Sequence, residues 1–311
     1  MEEITIAVLI LAVVLLGVFL TAFICFYIVF YVPKQQPSKE EFPIPPGKAY
    51  EPYRELMVSW MKQARQMPHE QIFIRSLDGL SLCGRYYEYA SNAPIELMFH
   101  GYRGTAERDL CGGVQRAFAL GRSVLIVDQR GCGNSDGRVI TFGVKESDDC
   151  VAWVDYLVNR FPESHIILTG ISMGAATVLM ATANPLPSNV VGVLADCGYT
   201  SAKEIIQTVM RTRRLPAWLL YPFVKLGARF FGHFDLEKTP PIEAIKTCRL
   251  PVIFFHGDSD DFVPCNMSEQ NYEACQSEKR LVLVPKAGHG LSYPVAPEAY
   301  LNALREFTFG L

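Results

Sequence analysis

The 311-residue chain has no basic block: 29 Lys and Arg stand against 32 Asp and Glu, for a net charge of −3. A nucleic-acid partner needs a concentrated positive field, so this balance argues against one. Nine cysteines (Cys25, Cys83, Cys111, Cys132, Cys150, Cys197, Cys248, Cys265 and Cys275) include no C-x-x-C pair, and H-E-x-x-H is absent. Metal sites and disulfide frameworks need short repeated spacings that this scatter lacks. An odd, dispersed set in a chain of this size reads as buried free thiols in a reducing compartment. No metal and no cofactor is expected, and no internal repeat is present.

Charge disappears altogether from Ile4 to Val32. As a helix that run is about 43 Å long, enough to cross a hydrocarbon layer of about 30 Å with tilt. A cleaved signal peptide would have a basic start, a shorter apolar core and a small-residue cleavage site. The chain instead begins Met1-Glu2-Glu3 and leaves the run through Tyr31-Val32-Pro33-Lys34. Phe26, Tyr27, Phe30 and Tyr31 crowd the far end, as expected at a membrane interface. Residues 1–33 are therefore expected to be a single-pass anchor, with the lipid bilayer as partner. Lys34, Lys39 and Lys48 follow the run and no Lys or Arg precedes it, so the positive-inside rule places the rest in the cytoplasm.

Six prolines and three lysines between Pro33 and Pro52 suggest a semi-extended linker over 34–52. Half of the residues are hydrophobic, which allows one α/β domain with a substantial core, expected over 53–311. Tyr53–Met67 has helical spacing and stops at Pro68; Gln71–Arg75 and Leu80–Tyr89 read as a hairpin turning at Asp78-Gly79. Apolar strands follow at Ile95–Phe99, Val124–Val127, Ile166–Leu168, Val190–Ala195, Val252–Phe255 and Leu281–Val284. Helical periods lie between them, as at Val144–Val158 and Ala175–Ala183. Short all-apolar strands alternating with helices imply a mostly parallel sheet covered on both faces. Residues 1–48 hold no part of that sheet, so a chain lacking them is expected to stay soluble and active.

Chemistry gathers where strands end. Gly170-Ile171-Ser172-Met173-Gly174 joins a strand to a small-residue helix, the context in which G-x-S-x-G holds a serine in a tight turn with its hydroxyl exposed. After Val252–Phe255 comes His256-Gly257-Asp258-Ser259-Asp260-Asp261-Phe262-Val263-Pro264, with three carboxylates, and after Leu281–Val284 comes Ala287-Gly288-His289-Gly290. Ser, acid and His in this order supply a nucleophile, its base and the base's orienter.

With His100-Gly101-Tyr102-Arg103-Gly104 and Asp128-Gln129-Arg130-Gly131-Cys132-Gly133-Asn134-Ser135, these motifs make the chain from about residue 70 to 311 resemble the alpha/beta-hydrolase superfamily. The likeness is nearest to bacterial membrane-anchored members of its serine aminopeptidase and prolyl-oligopeptidase-like group. It implies an eight-stranded-type sheet with a helical cap inserted at about 199–248. It also implies that Ser172 is the nucleophile and His289 the base. The family's G-x-x-D-x-x-V-P frame makes Asp260 the acid rather than Asp258 or Asp261, with Asp196 a weaker alternative. The main-chain N–H groups of Met173 and Tyr102 would form the oxyanion hole.

In the expected cap, Trp218, Tyr221 and Phe223 are candidates for an apolar wall against an acyl group, although the same stretch would equally pack on the core. His100 and His256 are expected to support loops, and Asp128 to pair with Arg130. Overall the sequence suggests a membrane-anchored serine hydrolase of carboxylic esters or thioesters acting through an acyl-enzyme on a small, apolar acyl substrate. A peptidase of the same fold is the alternative, and a catalytically silent scaffold the third reading.

Overall fold

In the computed structural model, which describes residues 1–33, 40–307 and 309, eight strands form one sheet in the order β1-β2-β4-β3-β5-β6-β7-β8. They are β1 Glu70–Arg75, β2 Ser81–Tyr87, β3 Ile95–Phe99, β4 Ser123–Val127, β5 Ile166–Ile171, β6 Val190–Asp196, β7 Val252–Gly257 and β8 Lys279–Val284. The first two pair antiparallel with each other and β2 pairs antiparallel with β4; every later pairing is parallel. Each strand anticipated from its apolar run is present; β3 has the expected bounds and the other five are one to three residues longer, as at Asp196 and Lys279.

The helices are α1 Glu2–Val29, α2 Arg54–Gln66, α3 Ala106–Asp109, α4 Cys111–Phe118, α5 Glu146–Arg160 and α6 Met173–Ala181. After them come α7 Ala202–Thr212, α8 Ala217–Phe230, α9 Pro241–Thr247, α10 Asn266–Ala274, α11 Ser292–Val295 and α12 Pro297–Glu306. Alternation along each strand assigns the two faces. Leu97, Phe99, Leu168, Val193 and Phe254 meet Trp153 and Leu157 of α5 and Val178 and Leu179 of α6. On the other face Leu194, Ile253 and Phe255 meet Tyr300 and Leu304 of α12, while Met98 and Ile126 meet Val114 and Ala117 of α4. With strands apolar on both sides, the sheet is stable only between two helical layers.

Helix α1 is long and apolar enough to cross a membrane, and most of its length projects beyond the domain with its side chains exposed. Its last turns behave differently. Phe26, Phe30 and Val32 are buried with Phe142, Met173 and Phe234, and Phe30 rings meet Phe142 at 5.8 Å and Phe234 at 5.3 Å. The main chain then joins the domain: Val32 N–H donates to Arg138 O at 2.8 Å and Ile140 N–H to Phe30 O at 2.9 Å.

The expected linker divides. Residues 34–39, including Lys34 and Lys39, lie outside the described residues. Beyond them, Ile44 is buried with Met57, Trp60 and Met61, so this part is a strap on the domain rather than a free spacer. Burial of Ile44 and the aromatic contacts of Phe42 with Arg65 account for that docking, which proline content alone does not reveal.

Because Phe26, Phe30 and Val32 belong to the core, removing residues 1–48 uncovers their partners. Burial of one such side chain contributes about 1.5–3 kcal/mol. In one detergent, the truncated chain should melt at least about 5 °C below the full chain. Equal melting temperatures would show that the end of α1 adds nothing to the core.

Candidate active site

The serine turn is defined by backbone contacts. Ser172 has φ 57° and ψ −118°, a left-handed conformation that a non-glycine residue holds only under constraint. A methyl group on Gly170 would overlap the Gly174 carbonyl, and one on Gly174 would overlap the Phe99 carbonyl. Both glycines are thus required by close approach of the strand ends and α6, and Ser172 N–H is tied to Asp196 O at 2.8 Å. Met173 is the first residue of α6, where N–H groups have no partner within the helix.

Three side chains from three loops form one hydrogen-bonded chain. His289 Nε2 lies 2.9 Å from Ser172 Oγ, and His289 Nδ1 lies 2.7 Å from Asp260 Oδ2. The carboxylate's other oxygen accepts the Phe262 and Val263 N–H groups, each at 2.9 Å. With Nδ1–H directed at a carboxylate, Nε2 presents a lone pair to the serine hydroxyl, which is the arrangement a general base requires. Burial by itself would raise the Asp260 pKa, but hydrogen bonds from His256 and His289 and the Val263 N–H hold it well below the usual carboxylate range.

His256 and His100 are buried supports. His256 Nε2–H donates to Val263 O at 2.9 Å and lies 3.2 Å from Asp260 Oδ2, while its Nδ1 accepts from Ser268 Oγ at 2.7 Å. His100 Nε2 accepts the Gln129 N–H at 3.0 Å, so its proton sits on Nδ1, facing Gly101 O at 2.7 Å. Asp196 is directed elsewhere: its oxygens accept from Ser292 Oγ at 2.9 Å and Tyr300 OH at 3.2 Å. Asp258 caps its turn through the Lys286 N–H at 2.7 Å. Asp261 is exposed on the cavity wall.

A cavity of about 440 Å³ opens over Ser172 and His289. Its walls are the strap Pro45–Tyr50, Met57, Tyr102, Arg108, Asp109, Ile171 and Phe262. A larger opening of about 700 Å³ beside α7, lined by Thr208, Arg211 and Gln270, contains none of this hydrogen-bonded chain. Cys197, Asp260 and His289 offer ligand atoms within 4.8 Å of one another. Burial and the Asp196 and Asp260 charges push the Cys197 thiol up, and both His289 nitrogens already face partners, so this set does not fit a cation.

A family profile described as the alpha/beta hydrolase fold matches residues 97–239. The chain has the alpha/beta-hydrolase fold. It is 30% identical over 190 residues to the uncharacterized protein YqkD of Bacillus subtilis, covering 60% of this chain and 62% of that protein. It is 26% identical over 189 residues to YNL320W of Saccharomyces cerevisiae, named as a membrane protein, covering 60% and 61%. The chain thus spans under two thirds of the length of each. Among solved structures, esterase Pf2001 of Pyrococcus furiosus superposes with a TM-score of 0.64 at 23% identity, covering 85% of this chain and 95% of that one.

Sequence reasoning missed several contributors to this site. Tyr50 OH donates to His289 O at 2.9 Å, so the strap fixes the histidine loop. Asp109 Oδ2 accepts the Gly101 N–H at 3.3 Å, bracing the loop of Tyr102. That loop also holds the end of α1: Tyr102 OH donates to Val29 O at 2.6 Å, and Arg103 Nη2 donates to Ile28 O at 2.9 Å and Tyr31 O at 3.0 Å. These contacts join residues remote in sequence and leave no spacing signal.

Two expectations are corrected. Trp218, Tyr221 and Phe223 do not line the Ser172 cavity, because α8 packs on α1 and α7 instead. Trp218 points into solvent, and Tyr221 OH donates to Glu237 Oε1 at 2.9 Å. Asp128 and Arg130 do not pair: Asp128 accepts the Ala106 and Asn134 N–H groups, and Arg130 binds Asp149 and Asp78. Backbone donors of the turn satisfy one, and two other carboxylates satisfy the other.

The Asp260 pKa gives a signed stability effect. Its folded value is depressed, so its contribution is complete above the unfolded pKa near ~4 and declines as pH falls below that toward the folded value. The difference in melting temperature between wild type and Asp260→Asn should therefore be largest near neutrality and shrink steadily below pH ~4. A constant difference across that range would mean that Asp260 is not held ionised by its neighbours.

Proposed function

We propose that this chain is a membrane-anchored serine hydrolase that cleaves carboxylic ester or thioester bonds through an acyl-enzyme. The carrying observation is the Ser172–His289–Asp260 hydrogen-bonded chain at the carboxyl ends of parallel strands, where ligands sit in open α/β sheets. In this reading Ser172 Oγ attacks the acyl carbonyl while His289 Nε2 takes its proton. The main-chain N–H groups of Met173 and Tyr102 receive the developing oxyanion. His289 then returns the proton to the leaving group, a water repeats the sequence on the acyl-enzyme, and Asp260 stabilises the imidazolium in both halves.

The cavity supports a small acyl substrate. Pro45, Pro46, Ala49, Met57, Ile171 and Phe262 offer apolar surface, and a volume of about 440 Å³ suits a short or medium acyl group. Solved neighbours under the names of esterases agree with ester cleavage by analogy of fold. Aminoacyl nitroanilides tested against acyl nitrophenyl esters separate this reading from a peptidase. Loss of turnover on both, with the triad intact, would favour a binding scaffold.

For the anchor, α1 has the length and composition of a span, and a relative carries the name of a membrane protein. The Lys34, Lys39 and Lys48 asymmetry supports a cytoplasmic catalytic domain.

Ser172→Ala should abolish fluorophosphonate labelling and hydrolysis while leaving the melting temperature within a few degrees. Asp260→Asn should lower kcat by about 10⁴, whereas Asp258→Asn should cost far less. Activity within tenfold of wild type in Ser172→Ala, or a severe loss confined to Asp196→Asn, would contradict these assignments. In intact cells a permeant fluorophosphonate should label Ser172 and an impermeant one should not; the reverse pattern would invert the orientation alone.

A further inference from the structure

Helix α8 packs along α1 at a depth that matters. A methyl on Gly227 would overlap the Ala22 carbonyl, so the two backbones nearly touch there. One turn further on, the Phe231 ring reaches Phe19 at 5.0 Å, Phe23 at 5.2 Å and Phe26 at 5.7 Å. Glu2 and Glu3 form the charged start of α1. A hydrocarbon layer needs about 20 helical residues, and counted from Ile4 that length ends near Phe23. If Phe19 and everything after it stood in water, Ile4–Val18 would span only about 22 Å, too short for a layer of about 30 Å. With α1 read as a span, that length places the carboxyl end of α8 beside it in the apolar layer.

Its surface is built for that position. Ala217, Tyr221, Val224, Gly227 and Ala228 face inward and are buried. Leu219, Phe223, Leu226 and Phe230 recur at helical spacing as one apolar stripe, with Leu219 46% and Phe230 59% exposed and Phe223 and Leu226 half-buried. Trp218, Lys225 and Arg229 lie in the adjoining row, and Arg213 and Arg214 precede the helix, all exposed. An aromatic and apolar face flanked by cations is the composition of a helix lying in a bilayer interface.

Resting on the reading that α1 spans a membrane, we infer that α8 is a second membrane contact, embedded through Leu219, Phe223, Leu226 and Phe230 in the same leaflet that α1 leaves. Phe223, first read as a wall for substrate, thus faces lipid. Tyr102 lines the Ser172 cavity and also holds the Val29 carbonyl, so this seat fixes the cavity at the bilayer surface.

Full-length chain in phosphatidylcholine–phosphatidylglycerol vesicles, irradiated with a phospholipid bearing a diazirine in its acyl chain, tests this by peptide mapping. Adducts should appear on α1 and on residues 217–231, with the exposed face of α5 at background. In a Leu226→Lys, Phe230→Lys double variant, α8 adducts should fall about tenfold while α1 adducts persist. Wild-type labelling of α1 with α8 at background overturns the inference and leaves the anchor standing. Absence of adducts from both removes the anchor and, with it, this inference. Crosslinks between the α8 helices of two copies, with α8 shielded from lipid, assign the stripe to a dimer and also overturn it.

Discussion

The structure depends on a close approach of main chains at the Ser172 turn. Phe99 O and Gly174 leave no room between them for a side chain, and Gly170 stands equally close to the Gly174 carbonyl. That contact locks the ends of β3 and β5 to the start of α6. It thereby places Ser172 on the same edge as the loops after β7 and β8, and the buried apolar sheet provides the rigidity that keeps a left-handed serine in place. The histidine and carboxylate reach the serine from loops whose own geometry is fixed nearby. His256 and two N–H groups hold Asp260, and Tyr50 holds the backbone of His289.

A second coupling runs outward from the same edge. Helix α1 ends with carbonyl groups that have no helical partner, and Tyr102 and Arg103 supply donors to three residues there. The loop proposed to provide an oxyanion donor is thus also the cap of the apolar helix. An ordinary tether would leave those carbonyls to water. Here the end of α1, the strap over 40–50 and the cavity form one packed unit, so under the proposed anchoring the same contacts set the shape of the site and its position relative to the membrane.

Much of this was readable in the residues, for identifiable reasons. Period-two and all-apolar runs mark strands because burial on both faces permits little else, and the sheet strands appear where those runs lie. The order of Ser172, Asp260 and His289 was readable because strand-end loops carry them, although their mutual distances are a property of the fold. What escaped were contacts between distant segments with no periodic signature. Residues 44–50 look like a spacer until Ile44 finds Trp60 and Met61. Trp218, Tyr221 and Phe223 look like pocket residues because apolar composition cannot distinguish substrate, core and lipid. Arg130 looked paired to Asp128 by proximity in sequence, whereas Asp149 and Asp78 approach it in space.

The central claim is that Ser172, the Met173 N–H and the Tyr102 N–H converge on one reacting carbonyl. A crystal structure of the full chain after reaction with a fluorophosphonate tests it most directly. The account predicts phosphorus bonded to Ser172 Oγ, with the phosphoryl oxygen about 2.7–3.1 Å from both the Met173 and the Tyr102 nitrogens. An adduct on another residue, or a phosphoryl oxygen turned toward the Pro45–Tyr50 strap and away from both N–H groups, would contradict it.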